Sequence, residues 1–133
     1  MIKHEAKASI LFRHWIKANP QYSGTYEAKD SRGKNGLPFA EVKQQQLDYG
    51  MAAKSDKGVL IRILGSNGEP DYGYFRHASA WIVIKYQNAL EIIDVETFIR
   101  ERDRSKMKSL TASRAREIST ISVPLKSKNR VKN

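Results

Sequence analysis

Glu27 and Lys29 are the residues of this sequence whose types and spacing most clearly suit chemistry. They flank Ala28 within residues 25–29, a segment that follows Gly24 and starts with β-forming residues, so the pattern predicts a strand. Because side chains alternate along a strand, both charged groups lie on one face and Ala28 points towards the core. An acid and an amine so placed can bind a divalent cation and orient an attacking water, or stabilise charge developing on a phosphate. The Ala28 carbonyl is a further oxygen ligand for magnesium.

A structural explanation competes with this one, because a cross-strand ladder of ion pairs also places acids and amines on one face of a sheet. The Glu-x-Lys triplet occurs twice more, at 5–7 and 41–43, on predicted helices where the two side chains diverge. The triplet alone therefore leaves the choice open.

Two polar residues occupy positions on apolar helical stripes. Residues 2–18 predict a helix that ends at Asn19 and Pro20, and Glu5 lies on its inward stripe. Gln46 has the same position on a second helix, predicted from Pro38 to about residue 54. A buried unsatisfied amide costs about 1–3 kcal/mol, so a polar site beside this helix would explain Gln46. A hydrogen bond from Gln46 to the backbone, and a frayed first turn for Glu5, are the alternatives.

The rest of the chain predicts an α/β fold in which helices flank a mixed sheet. Further strands are predicted at 59–64, 72–76, 80–86 and 90–93, helices at 95–104 and 111–117, an extended segment at 118–123, and disorder in the last eight residues. The strand at 80–86 is apolar enough for the sheet centre, whereas 90–93 is expected at an edge. We divide the chain into a core domain, 1–102, and a basic C-terminal extension, 103–133.

The charge of the chain indicates a polyanionic partner. Its net charge is +10, and the segment 103–133 holds nine of the 24 bases but two of the 14 acids. Binding of such a surface to nucleic acid is driven by counterion release, although a merely solvated tail has the same composition. The candidate nucleic-acid-binding residues are Arg32, Lys34, Lys43, Lys106, Lys108, Arg114 and Arg116.

Composition excludes several other functions. The chain has no cysteine, which excludes disulfide scaffolds and thiolate metal sites, and its three histidines lack the spacing of zinc ligands. No apolar run approaches the ~18 residues of a membrane helix, and charged residues interrupt the N-terminus where a signal peptide would be apolar. We expect a cytoplasmic protein without a membrane partner or a small organic cofactor.

The order of these motifs resembles a known family. A helix with Glu5 is followed by Glu27-Ala28-Lys29 on a strand, by Leu37-Pro38-Phe39, by Gln45-Gln46-Leu47-Asp48-Tyr49 on a helix, and by apolar strands. This order is similar to that of the PD-(D/E)xK nuclease superfamily and, within it, of the RecU-type Holliday junction resolvases and their small phage-borne relatives. The resemblance covers about residues 3–100, and is closest over 24–50.

The resemblance implies a restriction-endonuclease-like core and a Mg²⁺- or Mn²⁺-dependent endonuclease, usually a homodimer. Such an enzyme hydrolyses phosphodiesters in branched or duplex DNA during recombination, repair or phage replication, in the cytoplasm of a bacterium. On the family pattern Glu5, Glu27 and the Ala28 carbonyl are the metal ligands, and Lys29 positions or activates the attacking water. Gln46 matches the family's glutamine on the following helix.

One departure from the family pattern keeps other functions open. The family usually has an Asp, often after Pro, on the strand before Glu-x-Lys, whereas this chain has Pro20-Gln21 and no acid from residue 6 to 26. Glu5 is positioned to substitute for it. The second hypothesis is a nuclease-fold protein that binds DNA without cleaving it. The third and weaker hypothesis is a small RNA-binding protein, although Tyr72, Tyr74 and Trp81 alone do not make the aromatic platform that such a protein uses.

Overall fold

The computed structural model describes residues 5–33, 36–64 and 68–126. In chain order these form α1 (Lys7–Ala18), β1 (Gly24–Asp30), β2 (Leu37–Pro38), α2 (Gln44–Lys54), β3 (Val59–Leu64), β4 (Pro70–Phe75), β5 (Ser79–Lys85), β6 (Ala89–Asp94), α3 (Val95–Arg104), β7 (Ser109–Leu110), α4 (Ala112–Ile118) and β8 (Ile121–Pro124). Within these ranges no helix is both long and apolar enough to cross a membrane.

The central sheet is mixed, which confirms the predicted α/β class. Its strand order is β1-β5-β6-β8, with β1 parallel to β5 and the other two pairings antiparallel. Two ribbons accompany it, β2 with β7 and β3 with β4, both antiparallel. The chain between β1 and β5 contains α2, as a parallel connection requires.

Both faces of the sheet are covered by helices, because its central strands are apolar on both sides. Trp81 and Val83 of β5 pack with Phe12 of α1 on one face. Ile82 and Ile84 point to the opposite face, which packs against α2, α3 and α4 through a buried set that includes Leu47, Val95, Phe98 and Ala115. Each buried Val, Leu, Ile or Phe side chain of these sets contributes about 1.5–3 kcal/mol to the stability of the fold. The sheet therefore holds α1 and α2 on opposite sides of β1 and β5.

The predicted helix from Pro38 to residue 54 is wrong in its first turn. Pro38 lies in β2, residues Phe39–Glu41 form a 3₁₀ turn, and α2 begins only at Gln44. Val42 has extended backbone angles (φ −95°, ψ 108°), which separates the two turns. The stripe of apolar residues misled the prediction, because Phe39 is buried although its turn is not continuous with α2.

The segment 90–93 is not an edge strand. β6 has β5 on one side and β8 on the other, so its central residue Glu91 has a side chain only 2% exposed. Its carboxylate accepts hydrogen bonds from Ser119 Oγ (2.9 Å) and Ser122 Oγ (3.0 Å). The basic segment after residue 103 thus supplies β7, α4 and the outermost strand of the sheet. The disorder predicted for the last eight residues falls on Lys126 and on 127–133, and the latter lie outside the described residues.

Candidate functional site

The strand β1 carries Glu27 and Lys29 on the face that α2 covers. Their partners in the parallel pairing with β5 are Ile82 and Ile84, which point to the same side of the sheet. Lys29 Nζ lies 3.8 Å from Glu27 Oε2, and the side chains are 23% and 32% exposed. The acid and the amine are therefore adjacent and half-buried.

Burial controls the electrostatics of Glu27. Loss of water around its carboxyl group raises the pKa of Glu27 above the usual value, while the charge and hydrogen bond of Lys29 act in the opposite direction. Because burial has the larger effect, Lys29 alone does not offset the loss of water around the Glu27 carboxylate. A further positive charge at this point would stabilise it.

Gln46 lies beside Glu27. Both line a pocket of about 130 Å³ between β1 and α2, together with Thr25, Tyr49 and Gly50. Gln46 Oε1 accepts the backbone N–H of Lys43 at 2.8 Å, which caps the start of α2. Of the two explanations offered for Gln46, the hydrogen bond to the backbone is therefore present, and the pocket that Gln46 shares with Glu27 is otherwise lined mainly by apolar residues. Since its oxygen is engaged, the amide offers its Nε2 donor to the pocket.

Glu5 occupies a different position from the one its apolar stripe predicts. The helix begins at Lys7, so Glu5 precedes it and is 42% exposed. Its Oε2 accepts hydrogen bonds from Ser9 Oγ, at 2.7 Å, and from Arg13 Nη1. Glu5 does not line the pocket of Glu27 and Gln46, but with Lys29 it lines a neighbouring open cleft of about 560 Å³.

The oxygen donors at β1 are few but suit a hard cation. Among the described residues no group of three or more His, Asp or Glu side chains could hold a metal ion. Ser31 donates its N–H to the Lys85 carbonyl at 2.9 Å, and hydrogen-bonding direction alternates along a strand. The Ala28 carbonyl therefore points away from β5, to the side where the described part of the sheet has no strand. Magnesium is commonly held by one or two carboxylates and substrate phosphates, so Glu27 and the Ala28 carbonyl fit it.

The candidate nucleic-acid-binding residues divide into two groups. Arg32, Lys43, Lys106 and Lys108 are exposed on loops or helix starts. Lys34 lies outside the described residues.

The other two candidates, Arg114 and Arg116, are held by acids. Arg114 donates from Nε and Nη2 to the two carboxylate oxygens of Glu101, at 2.8 and 2.9 Å, and from Nη1 to Glu117 at 2.9 Å. Glu101 is a buried acid of α3, and its pKa is lowered mainly by the Arg114 hydrogen bonds. Arg116 Nε lies 3.7 Å from the buried Glu91 carboxylate. These contacts connect α4 to α3 and to the sheet.

The aromatic residues considered for RNA binding are also separated. Trp81 is buried, and its Nε1 donates to the Tyr22 carbonyl at 2.8 Å. Tyr72 and Tyr74 are 58% and 61% exposed on β4. The three rings therefore do not share one surface.

None of the protein-family models, curated proteins or solved structures compared with this chain matches it. The geometry around β1 is thus the basis for assigning a function.

Proposed function

We propose that this protein is a Mg²⁺- or Mn²⁺-dependent endonuclease of the PD-(D/E)xK type that cleaves branched or duplex DNA, as a RecU-like junction resolvase does. One observation carries the proposal. Glu27 and Lys29 lie 3.8 Å apart on one face of β1. Gln46 lies on α2, 19 residues after Glu27, and lines the same pocket as Glu27.

The arrangement of elements supports a restriction-endonuclease-like core. The helix α1 precedes β1, the Glu-x-Lys strand, and α2 then leads to β5, which is parallel to β1. The two helices cover opposite faces of the sheet. This is the helix-strand-helix-strand order that the family resemblance implies.

Glu27 and Gln46 line the pocket of about 130 Å³, Lys29 lines the neighbouring cleft, and each of the three has a part in phosphodiester hydrolysis. A divalent cation held by Glu27 and the Ala28 carbonyl would supply Lewis-acid stabilisation of the phosphate. The Lys29 ammonium group can donate to an attacking water or to a phosphate oxygen on which charge develops. Gln46 Nε2 can donate to the same oxygens, because the hydrogen bond from Lys43 fixes the orientation of its amide. Burial of Glu27 strengthens all of these interactions.

Cleavage of labelled four-way junction, duplex and single-stranded DNA tests the proposal, with Mg²⁺, Mn²⁺ or EDTA. We expect metal-dependent nicks, and a loss of about 100-fold or more in rate for Lys29→Ala. Lys7→Ala is the matched control, since Lys7 ends the triplet 5–7 without lying on a strand. Undiminished cleavage by a folded Lys29→Ala protein would overturn this mechanism.

A second function, DNA binding without cleavage, is favoured by one specific contact. Glu5, the acid expected from the sequence to replace the family's missing Asp, does not line the pocket of Glu27 and is engaged with Ser9 and Arg13. A calorimetric titration with Mn²⁺ separates the two functions. Tight binding that Glu27→Ala removes would support the nuclease, and DNA binding with no metal binding would support the second function.

A further inference from the structure

A cleft of about 520 Å³ opens beyond the carboxyl ends of the parallel strands β1 and β5. Its lining includes Ser31 and Arg32, which directly follow β1, and Lys85 and Gln87, at the end of β5. We call it the strand-end cleft. In sheets with parallel strands, ligands commonly bind at this end, because the loops after adjacent strands diverge there.

The lining of the strand-end cleft is cationic. It includes Arg32 and Lys85, and no acidic side chain. Neither base forms an ion pair with a described residue. Two glycines, Gly33 and Gly36, complete one wall, and Gly36 has a φ of +93° that other residues rarely adopt. Gly36 serves the fold, because the place of a Cβ atom there is taken by the backbone of Leu110 and Thr111. What the cleft offers a ligand is therefore its two positive charges, which no described acid compensates.

Ser31 supplies an independent observation. Its Oγ is buried and has no hydrogen-bond partner, an uncommon condition for a hydroxyl group in a folded protein. Its backbone N–H is engaged with the Lys85 carbonyl, so the residue itself is fixed. Because a serine side chain has three staggered positions, rotation about χ1 can bring this hydroxyl to a ligand in the cleft. A hydroxyl group with two bases is a typical set of phosphate-binding groups.

We propose that the strand-end cleft binds a phosphate group, and that in the complex with DNA this is a backbone phosphate of the same strand as the one cleaved at Glu27 and Lys29, further along it than the adjacent phosphate. The DNA part of this inference rests on the proposed function. Ser31 follows Glu27 by four residues on the same strand direction, or roughly 13 Å at about 3.3 Å per residue. A DNA strand lying along β1 would therefore reach both places.

Inorganic phosphate tests the cleft by itself. In an NMR titration of ¹⁵N-labelled protein at constant ionic strength, we expect saturable shifts of the Ser31, Arg32 and Gly33 amides. Lys85→Ala and Ser31→Ala should weaken this binding at least threefold. Lys57→Ala is the matched control, because Lys57 is an exposed lysine remote in sequence from both strand ends. Shifts spread evenly over the surface, or equal binding by the variants, would overturn the site.

Binding of a four-way junction in EDTA tests the role of the cleft in DNA recognition. Arg32→Ala and Lys85→Ala should each reduce affinity about threefold to tenfold and lower the slope of log K against log salt by about one. Phosphate binding with unchanged DNA affinity would support a site for free phosphate and overturn the DNA role. If the wild type bound no DNA, the proposed function would fail while the phosphate titration still decided the cleft.

Discussion

Asp30 Oδ1 accepts a hydrogen bond from the backbone N–H of Ala8, at 2.9 Å, across 22 residues of sequence. Asp30 Oδ2 accepts the N–H of Lys7 at the same distance. The residue before α1, Ala6, has no side-chain oxygen, so the strand that carries Glu27 and Lys29 also caps the preceding helix. Helix α1 is thereby fixed to the end of β1, and Glu5 is left outside the helix.

Replacing Asp30 should loosen this end of α1. We expect Asp30→Ala to lower the free energy of unfolding by about 1 kcal/mol, as loss of a helix cap does. Asp30→Asn should lower the free energy of unfolding by less, because the amide oxygen of the asparagine can still accept one N–H. Urea unfolding followed by circular dichroism measures the difference. Equal stability of the alanine variant and the wild type would show that water replaces the cap without cost.

Glu27 should cost the protein stability at neutral pH. Its pKa is raised in the folded state, so its ionisation is less favourable there than in the unfolded chain. Its contribution is therefore most favourable below the unfolded pKa, and falls as pH rises through the folded pKa. We expect Glu27→Gln to melt about 2 °C higher than the wild type at pH 7 in EDTA.

The pH dependence is the control for that prediction. The advantage of Glu27→Gln should shrink as the pH falls through the raised pKa of Glu27 in the folded state, and should be gone below the pKa of the unfolded chain, where the carboxyl group is neutral in both states. Glu41→Gln, at an exposed glutamate of another Glu-x-Lys triplet, should lack this pattern. A glutamine variant that melts below the wild type at pH 7 would show that burial of the Glu27 carboxylate does not destabilise the fold.

The pair of Glu101 and Arg114 should act on stability. Arg114→Ala removes the two hydrogen bonds that Arg114 donates to the buried Glu101 and leaves, among the described residues, only the longer contact from Arg104, so we expect a melting temperature about 5 °C lower. The lowered pKa of Glu101 gives the sign of the pH effect. The stabilisation is complete above the unfolded pKa, and is lost as pH falls through the folded pKa. The melting temperatures of the wild type and of Arg114→Ala should therefore converge as the pH is lowered from 7 to 3.

DNA affinity separates this structural role from a binding role. Arg114→Ala should change the affinity of a folded sample for a four-way junction less than Lys108→Ala, because Arg114 is engaged by two acids. A larger loss for Arg114→Ala, at a temperature where both variants are folded, would return Arg114 to the DNA-binding surface.

Two C-terminal truncations should differ sharply in their effect on stability. Removal of 127–133 leaves β8 complete and deletes three bases, Lys128, Arg130 and Lys132. We expect a melting temperature within about 2 °C of the wild type, with a smaller salt dependence of DNA binding if those bases contact phosphates. Removal of 104–133 deletes β8 and exposes the buried Glu91, so cooperative unfolding should disappear. A cooperative melt by the shorter chain would contradict the importance of β8.

Local signals predicted much of the fold. The helix α3 begins and ends as predicted, because Asp94 is an N-cap whose carboxylate accepts the N–H of Glu96 at 3.0 Å. Alternation along β1 placed Glu27 and Lys29 together, and helical periodicity placed Gln46 in the pocket that Glu27 lines. These features depend on residues close in sequence, where spacing determines direction.

Other features depend on partners distant in sequence. The pattern of β6 predicted an edge strand because β8, which covers it, comes 27 residues after the end of β6. Arg114 was predicted to bind nucleic acid, because the sequence does not show that Glu101 contacts it in the folded protein. The cap by Asp30 and the turn at Val42 likewise arise from tertiary contacts, which override local propensity.

The parallel pairing of β1 with β5 also affects how fast the molecule folds. Gly24 pairs with Ser79, so a long loop must close before this ladder forms, and α2 with the β3–β4 ribbon lies within that loop. Pairings so distant in sequence slow folding to roughly milliseconds or longer. During synthesis on the ribosome, the strand bearing Glu27 and Lys29 has no sheet to join until β5 has emerged. The candidate catalytic pocket is consequently assembled late, after most of the chain has been made.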